Sequence, residues 1–195
     1  MRSPEVQSLI DRLSAAFAGG DLAPPARAAL DKVFDRLATP AEAGAPAPSA
    51  PAVTRHLDQA LAPLLVRQDA LAPLAQTLND LAPRLAWAAR TSGGPHASAN
   101  FAGNHANAML IGPGGLEVRT DVWIGASLMA PDTRYPDHDH PPEEVYIALS
   151  PGDFLHGDED WTPRLPGQTF YNTPGIRHAM RSGAVPLLAI WCLPI

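Results

Sequence analysis

The chain has 195 residues, of which 46% are hydrophobic and 17% charged, a composition typical of a folded globular protein. Its formal net charge of -6 argues against nucleic-acid binding, which needs a basic surface. A single cysteine, Cys192, excludes an intrachain disulfide and a thiolate zinc cluster, and no run of about 18 apolar residues that could span a membrane occurs.

Two amphipathic helices are predicted at the start of the chain. Ser3 and Pro4 form a typical helix start, and Gly19-Gly20 ends the run. A second helix opens at Asp21 and ends at Pro40. Apolar residues at helical spacing are expected in the core: Val6, Leu9, Ile10, Leu13 and Phe17, then Leu30, Val33, Phe34 and Leu37.

Residues 40–52 carry four prolines among small residues and are interpreted as a linker or an exposed, mobile loop. The helical pattern resumes at Thr54, and the triplet Leu-Ala-Pro recurs at a ten-residue spacing. Units of that length are too short for a solenoid repeat, so segmented helices are the better interpretation. We therefore predict a helical N-terminal region over residues 1–92.

From about residue 93 the sequence changes character. Glycine clusters separate short runs rich in β-branched and aromatic residues, at 116–130, 143–150, 168–173 and 185–195. Such runs are typical of a β-sandwich or barrel. The predicted fold is therefore α+β, with the helical region packed on an antiparallel β-barrel of residues 93–195.

The segment HDHPPEEVY, residues 138–146, holds the densest group of coordinating side chains. Side chains of a strand alternate between its two faces, so Val145 and Ile147 share one face and the even-numbered residues share the other. The even set is His138, His140, Glu144 and Tyr146. An unpaired buried polar group costs roughly 1–3 kcal/mol, so such a face inside a barrel indicates a metal ion. Gly175 permits a tight turn that would return the strand carrying His178 beside the strand carrying His138 and His140.

The spacing His138-x-His140-x3-Glu144 resembles the first motif of the cupins, and Gly167-x5-Thr173-x-Gly175-x2-His178 resembles the second. Four turn positions depart from these motifs: Asp132, Gly152, Thr173 and Ser182. The resemblance implies a jelly-roll barrel and one divalent transition metal ion, which could be Fe, Mn, Zn, Ni or Co. The implied ligands are His138, His140, Glu144 and His178.

Tyr135 and Tyr146 flank these ligands, and the chain is similar in this respect to the cupin-type dimethylsulfoniopropionate (DMSP) lyases. That resemblance implies a carbon–sulfur lyase that converts DMSP to dimethyl sulfide and acrylate by β-elimination. Tyr146, next to the metal, is the preferred base, and Tyr135 is the alternative. The substrate joins a carboxylate to a sulfonium, a cation that suits aromatic faces. Candidate contacts are Trp123, Tyr135, Tyr171 and Trp191, with Phe170 as a further aromatic; ordinary barrel core is the alternative for Trp123, Phe170 and Trp191.

Other interpretations stay open at this point. The same ligands suit an iron-dependent cupin oxygenase, a lyase or isomerase of another small carboxylic acid, or a non-enzymatic small-molecule-binding cupin. His96 and His105 lie in a Gly/Asn-rich segment, residues 91–106, interpreted as a flexible solvated loop or else as a lid over the barrel mouth. With no signal-peptide pattern, we expect a cytoplasmic protein of undetermined oligomeric state.

Overall fold

The computed structural model describes residues 2–20, 22–90 and 93–195, so the predicted helix start at Asp21 lies outside them. Four α-helices span Pro4–Ala18 (α1), Pro24–Leu37 (α2), Leu57–Leu65 (α3) and Leu71–Leu81 (α4). Short 3-10 helices span Ala52–His56, Ala82–Arg84 and Phe101–Gly103. Among the described residues, no helix combines the length and the apolar character that crossing a bilayer requires.

The first helix forms for the reasons that its sequence indicates. The side chain of Ser3 accepts a hydrogen bond from the Val6 N–H at 3.3 Å, and Pro4 occupies the first turn. The predicted stripe of α1 is buried, and so is that of α2 apart from the half-buried Phe34. These predictions are therefore confirmed.

Ten strands occur in the described residues. They are Glu42–Ala43 (β1), His105–Ile111 (β2), Glu117–Val118 (β3), Val122–Met129 (β4), Glu144–Ala148 (β5), Gly152–His156 (β6), Thr162–Arg164 (β7), Thr169–Asn172 (β8), His178–Arg181 (β9) and Leu187–Pro194 (β10). A seven-stranded sheet has the order β1-β3-β2-β4-β10-β5-β8, and a three-stranded sheet has the order β7-β6-β9. Pairing is antiparallel except between β2 and β3.

The large sheet separates two hydrophobic clusters. Its outer face joins the buried residues of the four helices in one continuous core, which includes Val145 and Ile147 of β5. Its inner face packs against the small sheet around Tyr146, Phe154 and Met180. The prediction of a helical region packed on an antiparallel cupin barrel is therefore confirmed. The boundary at residue 92 stays a prediction, and the core is shared across it.

The proline-rich segment 40–52 is exposed, as expected, but it is not a free linker. β1 lies within it and pairs with β3, and the N–H of Gly44 donates to the Leu116 carbonyl at 2.8 Å. Further along, the main chain of Ser49 exchanges hydrogen bonds with residues 85 and 87. These main-chain hydrogen bonds tie the segment to the rest of the fold. They involve no side chains, so the small residues and prolines of the segment show no pattern that would predict them.

Candidate functional site

Two returning segments bring three histidines together. His138 and His178 exchange main-chain hydrogen bonds of 3.1 and 2.8 Å. Gly175 adopts a positive φ of 69° in the preceding turn, and its N–H donates to the carbonyl of His140 at 3.0 Å. As a result, the candidate ligand nitrogens of His138, His140 and His178 all lie within 4.8 Å of one another.

Hydrogen bonds to the main chain determine the tautomer of each of these imidazoles. Every Nδ1 lies 2.9 or 3.0 Å from the carbonyl oxygen of a residue two positions away. A carbonyl oxygen only accepts, so each Nδ1 carries a proton, and in the neutral form of each ring Nε2 presents its lone pair. This outer hydrogen bond is the arrangement that orients metal-binding histidines in proteins.

Glu144 completes the cluster from the first position of β5. Its Oε2 lies 3.4 Å from Nε2 of His140 and 3.2 Å from Nε2 of His178, and it accepts a hydrogen bond from Nδ2 of Asn172 at 3.1 Å. Burial would raise the pKa of Glu144, but His140 and His178 hold that pKa down to about 2. Glu144 in turn raises the pKa of His140, whereas burial and the neighbouring His178 lower the pKa of His138 to about 4.

The donor set fits a divalent transition metal ion. Oε2 of Glu144 faces the Nε2 atoms of His140 and His178, and such a group of lone pairs needs a cation or a proton between its members. Moreover, Nε2 of His178 is buried without a hydrogen-bond partner. Three histidine nitrogens and one carboxylate are ligands that these ions prefer.

His138, His140 and Glu144 of this cluster line a cavity of about 430 Å³, and His178 lies behind them. Both predicted tyrosines line it, together with Trp123 and Trp191. Tyr146 is 4% exposed, and burial and the nearby Glu144 raise its pKa well above the usual value. The Oη of Tyr135 accepts a hydrogen bond of 3.1 Å from Nδ2 of Asn107.

Tyr171 does not reach this cavity, which corrects its prediction as a substrate contact. It lies opposite Val145 in the β5–β8 register and packs against the helix-facing core. Its hydroxyl donates to Glu143 at 2.7 Å, and burial together with Glu143 raises its pKa to about 12. Phe170 points inward, but it packs against Phe154 at 5.3 Å in the barrel core.

The interpretation of His105 as part of a solvated loop is also wrong. His105 begins β2, is fully buried, and stacks on Phe101 with ring centroids 3.8 Å apart. Its Nδ1 donates to the Phe101 carbonyl, and its Nε2 accepts from the N–H of Arg90. Burial lowers the pKa of His105. His96, by contrast, is exposed, and its Nδ1 lies 2.9 Å from Asp137.

Three polar residues at the site were not found from the sequence. Asn107 and Ser127 line the cavity, and Asn172 supports Glu144. Ser127 interrupts the otherwise apolar strand β4, and that position is a signal that could have indicated it. Asn107 shares β2 with His105, and Asn172 shares β8 with Thr169 and Tyr171, so their strands give a weaker signal. Such a residue is equally common where a strand faces solvent, so its significance depends on the strand's neighbours.

The fold and the site together define a helix-capped cupin barrel with a cluster of three histidines and one carboxylate beside an aromatic cavity. The sequence profile of the DMSP lyases matches residues 26–189. A putative DMSP lyase, DddL of Cereibacter sphaeroides, is 32% identical over 165 residues, covering 82% of this chain and 67% of that protein. The chain belongs to the DMSP lyase family and is thus a carbon–sulfur lyase.

Solved structures agree with this assignment at the level of the fold. One belongs to a set of crystal structures of the DMSP lyases RdDddP and RnDddQII, with a TM-score of 0.71, 20% identity, and coverage of 98% of this chain and 92% of the other. The DMSP lyase DddQ from Ruegeria pomeroyi DSS-3 is similar with a TM-score of 0.66, 22% identity, and coverage of 99% and 92%.

Proposed function

We propose that this protein converts DMSP to dimethyl sulfide and acrylate by a metal-dependent β-elimination in which a tyrosine is the base. The proposal depends on one observation above all. Three histidine nitrogens and a carboxylate lie close together, and His138, His140 and Glu144 of this group line the same cavity as two tyrosines and two tryptophans. Family membership favours this reaction over the oxygenase and the non-enzymatic alternatives.

His138, His140, His178 and Glu144 would hold one divalent transition metal ion. When bound, the ion supplies a positive centre for the substrate carboxylate and for the charge that develops on it as the α-proton leaves. The main-chain carbonyls that hold each Nδ1 keep the imidazoles oriented for this role. The Asn172 amide, which donates to Glu144, likewise keeps the carboxylate oriented.

Aromatic side chains would receive the other end of the substrate. The indoles of Trp123 and Trp191 line the cavity, and their faces attract the sulfonium cation. The elimination then balances with no further reactant. The tyrosine oxygen takes the α-proton, the C–H electron pair forms the new double bond, and the C–S bond breaks, so dimethyl sulfide leaves with the bonding pair.

The two tyrosines differ in what holds their oxygens. The Tyr146 oxygen lies beside the carboxylate of Glu144, one of the four residues that would hold the ion. The Tyr135 oxygen accepts a hydrogen bond from Asn107, a neutral amide outside the ligand cluster, which fixes its position on the cavity wall. We therefore infer from this geometry that Tyr135 is the base and that Tyr146 has a supporting role beside Glu144, the reverse of the preference drawn from sequence spacing.

The decisive experiment is headspace gas chromatography of metal-loaded protein with millimolar DMSP, with elemental analysis of the same preparation. We expect dimethyl sulfide and acrylate in equal amounts, with no need for oxygen. His178→Ala should lose most of its metal and its turnover, whereas His56→Ala, which alters a histidine outside the cavity, should keep both. An active protein without bound metal would contradict the metal dependence, and no dimethyl sulfide from the loaded wild type would contradict the reaction.

A further inference from the structure

Three hydrogen bonds run along the cavity wall and end on Tyr135. Nε1–H of Trp191 donates to Oγ of Ser127 at 3.1 Å. Oγ–H of Ser127 donates to Oδ1 of Asn107 at 2.8 Å, and Nδ2–H of Asn107 donates to Oη of Tyr135 at 3.1 Å. All four residues line the cavity that His138, His140 and Glu144 also line.

Neighbouring strands hold this chain of hydrogen bonds in place. Asn107 on β2 and Ser127 on β4 lie directly opposite each other, and Trp191 on the adjacent β10 lies opposite Gly125. Residues on paired strands are positioned more exactly than residues on loops. The hydrogen bonds therefore belong to the rigid part of the barrel.

The donor-to-acceptor direction of these three hydrogen bonds is set by Trp191. An indole N–H can only donate, so the Ser127 oxygen accepts there and keeps its own proton for Asn107. The Asn107 side chain must then present its carbonyl oxygen to Ser127 and its NH₂ group to Tyr135. In the reversed amide orientation, the Ser127 oxygen would receive two donors and its own proton would lose this acceptor.

The ring of Tyr135 is held as firmly as its oxygen. Phe101 and His105 both meet it edge-on, with centroid distances of 5.1 and 5.5 Å and interplanar angles of 81° and 89°. Both ring nitrogens of His105 are hydrogen-bonded to main-chain groups, so the His105 ring that supports Tyr135 is itself held in place. Since Asn107 donates to Oη, the hydroxyl proton must point away from Asn107.

We propose that Asn107 is a positioning residue that orients the Tyr135 hydroxyl for the reaction, and that Ser127, anchored by Trp191, fixes the amide of Asn107 in the donating direction. This inference rests on the proposed function, because it concerns how one cavity tyrosine is presented to the substrate. It assigns an indirect role to two polar residues whose side chains otherwise look like ordinary barrel lining.

The test is a set of kinetic measurements on metal-loaded variants. Asn107→Asp keeps the shape of the side chain but replaces the donor by an acceptor, so it should lower kcat at least about ten-fold, the effect of losing one good hydrogen bond. KM should change much less. Ser127→Ala should lower kcat by a smaller factor, and Asn100→Ala, which removes a loop amide outside the cavity, should behave as wild type.

A double-mutant cycle separates positioning from general structural damage. If Asn107 acts through Tyr135, then Asn107→Ala should lower kcat in the wild type but not in the Tyr135→Phe background, and the losses in Tm of the two changes should be less than additive. An equal loss of kcat in both backgrounds, or additive losses in Tm, would overturn the inference. An inactive wild type would instead overturn the proposed function, and the wild-type assay alone reveals that case.

Discussion

At the residue scale, two tyrosines face one cavity in contrasting surroundings. Tyr146 is held beside the carboxylate of Glu144, whereas Tyr135 receives a hydrogen bond from a neutral amide. Because the Tyr146 oxygen lies against a proposed metal ligand and the Tyr135 oxygen is held by a donor outside the ligand cluster, the two hydroxyls should have different roles in the reaction. The sequence spacing from the histidines does not distinguish them in this way.

Phenylalanine substitutions test this difference directly. Tyr135→Phe should lower kcat by about 10²-fold or more, the usual scale for losing a general base, while the metal content stays at the wild-type level. Tyr146→Phe should have the smaller effect on kcat. Steady-state kinetics with elemental analysis checks both, and the opposite ranking, with metal retained, would return the base role to Tyr146.

At the element scale, the contact between β4 and β10 shapes the cavity. Gly125 on β4 lies opposite Trp191 on β10, and the indole lies over the glycine backbone. A Cβ at position 125 would overlap the six-membered ring of Trp191 and would lie 2.7 Å from the carbonyl oxygen of Ala108. The absence of a side chain at this position therefore lets the tryptophan lie against the cavity wall.

We expect Gly125→Ala to displace the indole and so to break its hydrogen bond to Ser127. The overpacking should destabilise the protein by about 1–3 kcal/mol and raise KM for DMSP. Gly103→Ala is the matched control, because a Cβ there meets nothing within 4 Å. Urea unfolding and steady-state kinetics measure both effects, and a Gly125→Ala protein as stable and active as the control would refute the explanation.

At the scale of the whole molecule, a buried charge cluster joins the helices to the barrel. Arg2, just before α1, contacts Glu117 of β3 at 2.6 Å, and Glu117 also pairs with Arg119 at 3.2 Å. Arg119 donates to the main-chain carbonyls of Arg36 and Thr39 at the end of α2. Burial would raise the pKa of Glu117, but the two arginines outweigh it and lower that pKa.

The lowered pKa predicts a pH dependence of stability. Ionised Glu117 stabilises the folded state fully above its unfolded pKa near 4.5, and this contribution is lost as the pH falls through the lower folded pKa. Glu117→Gln should therefore destabilise the protein near pH 7, by about 2 kcal/mol, and the difference from wild type should shrink below about pH 4. Urea unfolding between pH 3 and 7 measures this, with the exposed Glu42→Gln as control. A constant difference across that range would contradict the prediction.

Several features followed from the sequence because they depend on local periodicity. The stripe of α1, its Ser3 cap, and the alternation that separates Tyr146 from Val145 and Ile147 are set by helix and strand geometry alone. The α+β arrangement followed from the same kind of local pattern, whereas the family followed from the resemblance of the residues around His138 to those of the cupin-type DMSP lyases. The pattern and the resemblance are both properties of the sequence by itself.

What only the tertiary structure decided depends on partners that are distant in the chain. Tyr171 faces the helices because of its register with β5, and His105 is buried because Phe101 and Arg90 close around it. The hydrogen-bond chain to Tyr135 joins residues from three strands and a loop. Strand register and side-chain hydrogen bonds are settled by packing between segments, and no local spacing encodes which polar group a buried amide will meet.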